Sequence, residues 1–227
     1  MISVIIAGGG KGNRLGGIPK AFLKIGQKQL LYYSIEKFYE KVCEIVLVLP
    51  YGYVEKWNRK LKNIYKNIEV ISGGEHRQDS VNEGIKALKK KDGIIIIHDV
   101  ARPFFSDNLL NRLIKSAKKY GAAVPYIETQ DTLKERDGTF VKHTLDRENI
   151  VSIQTPQVFK AEIIINAYKE AYKEHFYATD DATLVERSGV KVYLVKGERE
   201  NIKITYPIDI NIAKEILKNG KRRNSIP

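Results

Sequence analysis

One cysteine, Cys43, stands among 227 residues, which excludes an internal disulfide and points to a reducing, cytoplasmic setting. It borders the apolar stretch 44–49 with no histidine near it in sequence, which favours a small buried hydrophobe over a nucleophile. His76, His98, His143 and His175 form no His-Glu-x-x-His run, so no zinc site is expected. No stretch approaches the roughly 18 apolar residues of a membrane span, and the short apolar run at the start has no basic flank, so no membrane partner is expected. Without a composition break, one α/β domain over 1–227 is expected. Acidic residues are the scarcer charge, 27 against 39 Lys and Arg, and the resulting +12 suits a polyanionic partner. A nucleotide, a sugar phosphate, nucleic acid or an acidic surface would each satisfy it. Runs such as 89–91 and 118–119 equally suit a solvated lysine-rich surface.

What is present begins at the first residues. The apolar run Ile2–Ala7 breaks into Gly8-Gly9-Gly10-Lys11-Gly12-Asn13-Arg14-Leu15, with Pro19-Lys20 shortly after. Glycines let backbone N–H groups approach an anion without a Cβ in the way, and Lys11, Arg14 and Lys20 add positive charge to the same region. The P-loop template fails because Gly12 follows Gly10-Lys11 where Ser or Thr is needed; the dinucleotide template fails at Leu15, where a third glycine is needed. The pattern instead resembles the signature loop of sugar-nucleotide and cytidylyl transferases. A flexible glycine turn after an edge strand is the plainer alternative.

Further along, strand-length apolar runs at 2–7, 44–49, 67–71, 93–98, 122–127 and 191–195 alternate with helical spacing over 28–40, 76–89 and 106–119. That alternation predicts a Rossmann-like, mostly parallel sheet with helices on both faces and ligands at the carboxyl ends of the strands. Residues 128–152 interrupt it. Arms at 128–134 and 140–145 around the turn Arg136-Asp137-Gly138-Thr139 predict a protruding β-hairpin. The polar tail 219–225 is expected to fray.

Two of the strand ends carry chemistry. Residues 93–97 lead into His98-Asp99-Val100-Ala101-Arg102-Pro103, where Asp99 offers a ribose or metal ligand and Arg102 a phosphate fork. His98 suits a buried structural role better than that of a catalytic base. Ser72-Gly73-Gly74 leads into the helix carrying Ser80, whose start can read a base edge or a phosphate, or simply be an ordinary capped helix.

Taken in order, these elements resemble the 2-C-methyl-D-erythritol 4-phosphate cytidylyltransferases of the non-mevalonate isoprenoid pathway. The resemblance runs through 8–15, Pro19-Lys20, Gly73–Arg77, Asp79-Ser80-Val81, His98–Pro103, Asp131-Thr132, Thr144–Arg147, Gln154–Gln157, Thr179–Ala182, Gly197 and Asn201–Thr205. It implies that Gly8, Gly9, Gly10, Gly74 and Ser80 recognise cytosine, and that Asp99 faces the ribose and a Mg²⁺. Arg14, Lys20 and Lys203 would surround the CTP triphosphate as the catalytic cations. Thr132 and Arg147 would reach the polyol phosphate acceptor of a neighbouring subunit in a homodimer joined through the 128–152 arm, with Arg102, Thr155 and Thr179 lining the acceptor pocket. Gly8-Gly9 departs from the family pattern, in which two alanines are common. Ribitol 5-phosphate is the alternative acceptor; Thr144-Leu145-Asp146-Arg147 looks more like the methylerythritol branch. A non-catalytic nucleic-acid-binding protein would also be basic, but the tyrosines here are too scattered to form stacking platforms.

Overall fold

The computed structural model describes residues 1–10 and 17–223, the side chains of 221–223 excepted. Its first half contains β1 (Ile2–Ala7), the two-residue strands β2 (Lys24–Ile25) and β3 (Lys28–Gln29), α1 (Leu30–Phe38), β4 (Glu44–Leu49), α2 (Val54–Lys62), β5 (Ile68–Ser72), α3 (Arg77–Ala87) and β6 (Ile94–Asp99). The second half contains α4 (Asp107–Tyr120), β7 (Ala122–Glu128), β8 (Lys134–Asp137), β9 (Phe140–Thr144), β10 (Val151–Ile153), β11 (Gln157–Lys160), α5 (Ala161–Lys173), α6 (Asp181–Arg187), β12 (Tyr193–Lys196) and α7 (Pro207–Arg223).

Strands β5, β4, β1 and β6 lie side by side and parallel, in that order. All six residues of β4 and of β6 are buried, as strands covered on both faces require. Alternation divides their side chains. Val4, Ile6, Ile45, Leu47 and Ile96 face α1, α2 and α4 through Leu31, Ile35, Phe38, Trp57, Leu61 and Leu113. Ile5, Val46, Val48, Ile95 and Ile97 face α3, α5 and α6 through Val81, Ile85, Ile164, Tyr168 and Leu184. Each such side chain withdrawn from water contributes roughly 1.5–3 kcal/mol before entropy is counted, so the two cores hold the strand ends in fixed relation.

Beyond β6 the sheet departs from strict parallel order. β11 lies between β6 and β7 and runs antiparallel to both, so β7 again points the same way as β1. β12 adds in parallel to β7, and β10 pairs antiparallel with it. The expected mostly parallel sheet covered on both faces is therefore present, with β11 reversed inside it and β10 reversed at its edge.

The hairpin protrudes, and it is shorter than the sequence predicts. β8 and β9 pair antiparallel, joined at Gly138 with φ +58°, a left-handed conformation that glycine adopts without penalty. All five β9 residues are exposed. The first arm occupies 134–137 rather than 128–134, because Glu128 pairs with Val151 and thereby extends the main sheet.

Candidate active site

Three parallel strands end at one edge, and their following loops meet there. After β1 the chain leaves through Gly8, whose N–H donates to Val48 O at 2.9 Å. A Cβ at Gly8 would itself lie 2.9 Å from that oxygen, so a side chain here would require the loop to shift away from β4. After β5, Gly73 and Gly74 lead into α3. A Cβ on Gly74 would come 2.4 Å from Asp79 Cβ, and one on Gly73 2.6 Å from Ser80 Oγ. Asp79 closes this turn by accepting from His76 N at 2.9 Å, while Tyr172 and Tyr177 hydroxyls donate to its other oxygen. Ser80 Oγ donates to His76 O at 3.1 Å and also lies against Gly9.

The result is a cavity of about 220 Å³ walled by Gly8, Gly9, Gly10, Gly74, Ser80 and Asp99, together with Lys20 and Lys203. Lys20 opens a single 3₁₀ turn through Phe22, whose ring stacks on Trp57 at 5.2 Å between centroids. Of the residues proposed from the sequence for nucleotide contact, Gly8, Gly9, Gly10, Lys20, Gly74, Ser80, Asp99 and Lys203 line this one cavity. Arg14 falls outside the described residues.

Asp99 is the electrostatic centre. Its Oδ1 accepts from Arg77 Nε at 2.9 Å, and its Oδ2 lies 2.7 Å from Lys203 Nζ. Burial alone would raise the Asp99 pKa, but these two cations outweigh it and hold the carboxyl well below the usual carboxylate range. Arg77 reaches on to Asp181 Oδ2 at 2.7 Å, whose other oxygen accepts from Tyr168. Burial works against the Arg77 charge, yet the two aspartates raise its pKa well above normal. His98, one residue before Asp99, is wholly buried, and desolvation lowers its pKa to about 3. The imidazole is therefore neutral at physiological pH; it packs between Phe38 and Phe105 and contacts Thr155 Oγ1 at 3.1 Å, a structural role.

Of the residues proposed for the acceptor, Arg102 and Thr155 come together. Arg102 Nη1 donates to Asn201 O at 2.9 Å, and Asn201 Nδ2 donates to Thr155 O at 2.9 Å. Thr155 is only 5% exposed, and its hydroxyl accepts from Asp99 N at 3.1 Å. Thr179 is exposed and precedes Asp180, the side-chain cap of α6. Thr132 and Arg147 lie at the base of the arm, where Arg147 Nη1 donates to Gln130 O, and they do not line the cavity of their own chain.

Arg77, Asp181, Gln154 and Asn201 received no role from the sequence although their motifs did stand out. The available signal was polar residues inside segments that otherwise pack; Gln154, Asp181 and Asn201 are 3%, 1% and 0% exposed.

Comparison with known proteins agrees with this geometry. The family model described as 2-C-methyl-D-erythritol 4-phosphate cytidylyltransferase matches residues 2–219. The enzyme of that name from Clostridioides difficile (strain 630) is 43% identical, the match covering 98% of this chain and 96% of that one. The relative from Syntrophus aciditrophicus (strain SB) is 38% identical, with 98% of each chain covered. Among solved structures, the 2-C-methyl-D-erythritol 4-phosphate cytidylyltransferase from Thermus thermophilus superposes with a TM-score of 0.82 at 33% identity, covering 95% of this chain and 98% of that one. The 4-diphosphocytidyl-2C-methyl-D-erythritol synthase from Anaerococcus prevotii DSM 20548 gives 0.84 at 30% identity, covering 96% of each. With a family match along nearly its whole length and the strand-edge cavity in place, the chain belongs to the 2-C-methyl-D-erythritol 4-phosphate cytidylyltransferase family.

Proposed function

We infer that the protein transfers CMP from CTP to 2-C-methyl-D-erythritol 4-phosphate, giving 4-diphosphocytidyl-2-C-methyl-D-erythritol and pyrophosphate. The observation that carries this is the single cavity in which the glycine loop, the α3 turn, Asp99, Lys20 and Lys203 meet, within a chain of this family. An oxygen of the acceptor phosphate attacks the α-phosphorus of CTP, a new P–O bond forms, and the bond to the β-phosphate oxygen breaks so that pyrophosphate leaves with the electron pair. No general base is needed, because a phosphate monoester with a second pKa of about 6 is mostly ionised at neutral pH. The neutral, buried His98 is consistent with that.

The work left to the protein is to bring two polyanions together and stabilise the charge of the transition state. Gly8, Gly9, Gly10, Gly74 and Ser80 form a tight wall suited to a pyrimidine. Arg14, Lys20 and Lys203 neutralise the triphosphate. Asp99 would be one carboxylate ligand to a Mg²⁺: it lines the cavity ionised, with Arg77 and Lys203 at its two oxygens. Bound there, Mg²⁺ would offset the negative charge of the phosphates. Arg102, Thr155 and Thr179 take the acceptor side. The Arg102 Nη1 is held by Asn201 O, which fixes the guanidinium on that side. Thr132 and Arg147 complete the site of a partner subunit, in a cytoplasmic homodimer of single-domain chains joined through the arms. No described helix is long and apolar enough to cross a membrane.

Pyrophosphate release with the methylerythritol acceptor and each of CTP, UTP, ATP and GTP tests this reading. CTP should be strongly preferred; equal turnover with a purine triphosphate would refute it.

A further inference from the structure

Lys203 sits on a segment, 197–206, that contains neither helix nor strand, so its place depends on individual hydrogen bonds. The segment is tied at both ends to the main fold: Gly197 N donates to Tyr126 O at 2.7 Å and Ile204 N to Ala101 O at 2.9 Å. Between these ties two buried amides meet. Gln154 Nε2 donates to Glu198 O at 2.8 Å and to Asn201 O at 3.2 Å. Gln154 Oε1 in turn accepts from Glu198 N at 3.3 Å. Asn201 Nδ2 reaches Thr155 O at 2.9 Å, and Asn201 O takes Arg102 Nη1. Gly197 leaves room for this pair, since a Cβ there would stand 2.6 Å from Gln154 Oε1.

We propose that Asn201, held against Gln154 and bonded through its side chain to Thr155 O, is a positioning residue for the transfer reaction, setting the segment that presents Lys203 to Asp99. The physical reason is rigidity. A half-exposed lysine on an irregular segment would otherwise sample many positions, and displacement of a reacting contact by about 1 Å can cost on the order of 10²-fold in rate. The two amides are buried, Gln154 at 3% and Asn201 at 0% exposure, and rotating the Asn201 amide would break its Nδ2 bond to Thr155 O with no water to replace it. The proposal rests on the role given to Lys203 above.

A double-mutant cycle separates the two. Lys203→Ala, Asn201→Ala and the double variant are compared by kcat at saturating CTP and methylerythritol phosphate, well below the unfolding midpoint of each. Lys203→Ala should lower kcat on the order of 10²–10³-fold. Asn201→Ala, which keeps the main-chain carbonyl that holds Arg102 but loses the Nδ2 bond to Thr155 O, should lower it by about 10²-fold with both KM values little changed. The double variant should be no worse than Lys203→Ala within about threefold, because a lysine that is absent cannot be mispositioned. Losses that multiply in the double variant overturn the positioning role while leaving that of Lys203 intact. Near-normal turnover by Lys203→Ala refutes the site assignment itself, and the proposal with it. If Asn201→Ala does not fold, Gln154→Met replaces it in the same cycle; failure of that variant to fold as well would make the amide pair purely structural and overturn the proposal.

Discussion

Lys203 Nζ and Asp99 Oδ2 stand 2.7 Å apart across the mouth of the cavity, where an irregular segment meets the carboxyl end of β6. The other Asp99 oxygen is bound to Arg77, so the carboxylate faces one cation rooted in α3 and one that is part-exposed. Lys203 is thus held beside a buried carboxylate that lines the cavity.

The first prediction concerns the cations. Lys20→Ala and Lys203→Ala should each lower kcat on the order of 10²–10³-fold while far-ultraviolet circular dichroism and the unfolding midpoint stay close to wild type. Both lysines line the cavity, and when Lys203 is removed Arg77 still faces Asp99 and offsets its charge. Normal turnover by both variants would remove them from the site.

A second prediction uses His98. Its folded-state pKa of about 3 lies below the ordinary value of 6.5, so between these pH values the unfolded chain binds a proton that the folded chain does not. Stability from this group is fully present above pH 6.5 and is lost as pH falls toward 3, by up to about 1.4 kcal/mol per pH unit. Urea unfolding between about pH 7 and about pH 4.5 should show that slope, and His98→Gln should flatten it. An unchanged slope in the variant would mean that the ring is not the group responsible.

Much of the scaffold was legible because burial leaves a local pattern. The run that forms β6 is apolar up to its chemistry-bearing end, and the apolar spacing of Leu109, Leu110, Leu113 and Ala117 marks the inner face of α4. β11 left little trace: four residues directly after a proline do not reveal a reversed strand inside a parallel sheet. The Arg77–Asp181 contact spans 104 positions and is created by packing α6 beside α3, so no local spacing encodes it. Strand β12 starts at Tyr193, two residues later than the apolar run suggested, because pairing with β7 begins there. For the site, residues on glycine loops and strand ends were visible as motifs with a role, whereas the amides Gln154 and Asn201 stood inside motifs whose spacing, 47 positions apart, did not show that they meet.

Gly74→Ala supplies a third prediction. The added Cβ would meet Asp79 Cβ at 2.4 Å, and Asp79 is fixed by His76 N and two tyrosines, so the turn must yield rather than the neighbour. The KM for CTP should rise by about tenfold or more, equivalent to roughly 1.4 kcal/mol of binding, with far less change in the KM for the acceptor. Equal effects on both substrates would indicate general misfolding of the edge.

A fourth prediction tests the arm. Thr132 and Arg147 stand away from their own chain's cavity, and the exposed β9 strand carries Phe140 and Val141 at 79% and 63% exposure. Mixing Lys20→Ala with Arg147→Ala subunits, each nearly inactive alone, should give heterodimers with one doubly damaged site and one intact site. Random reassortment should restore roughly a quarter of wild-type activity. If subunit exchange is verified and activity stays absent, the arm serves its own chain.

The most direct test of the account is the identity of the product formed with CTP, offered either 2-C-methyl-D-erythritol 4-phosphate or ribitol 5-phosphate and followed by phosphorus NMR. With the methylerythritol acceptor, two mutually coupled diphosphate signals should grow together with pyrophosphate, while the ribitol sample stays largely unreacted. Comparable or faster product formation from ribitol 5-phosphate, or pyrophosphate release without a coupled diphosphate, would contradict it.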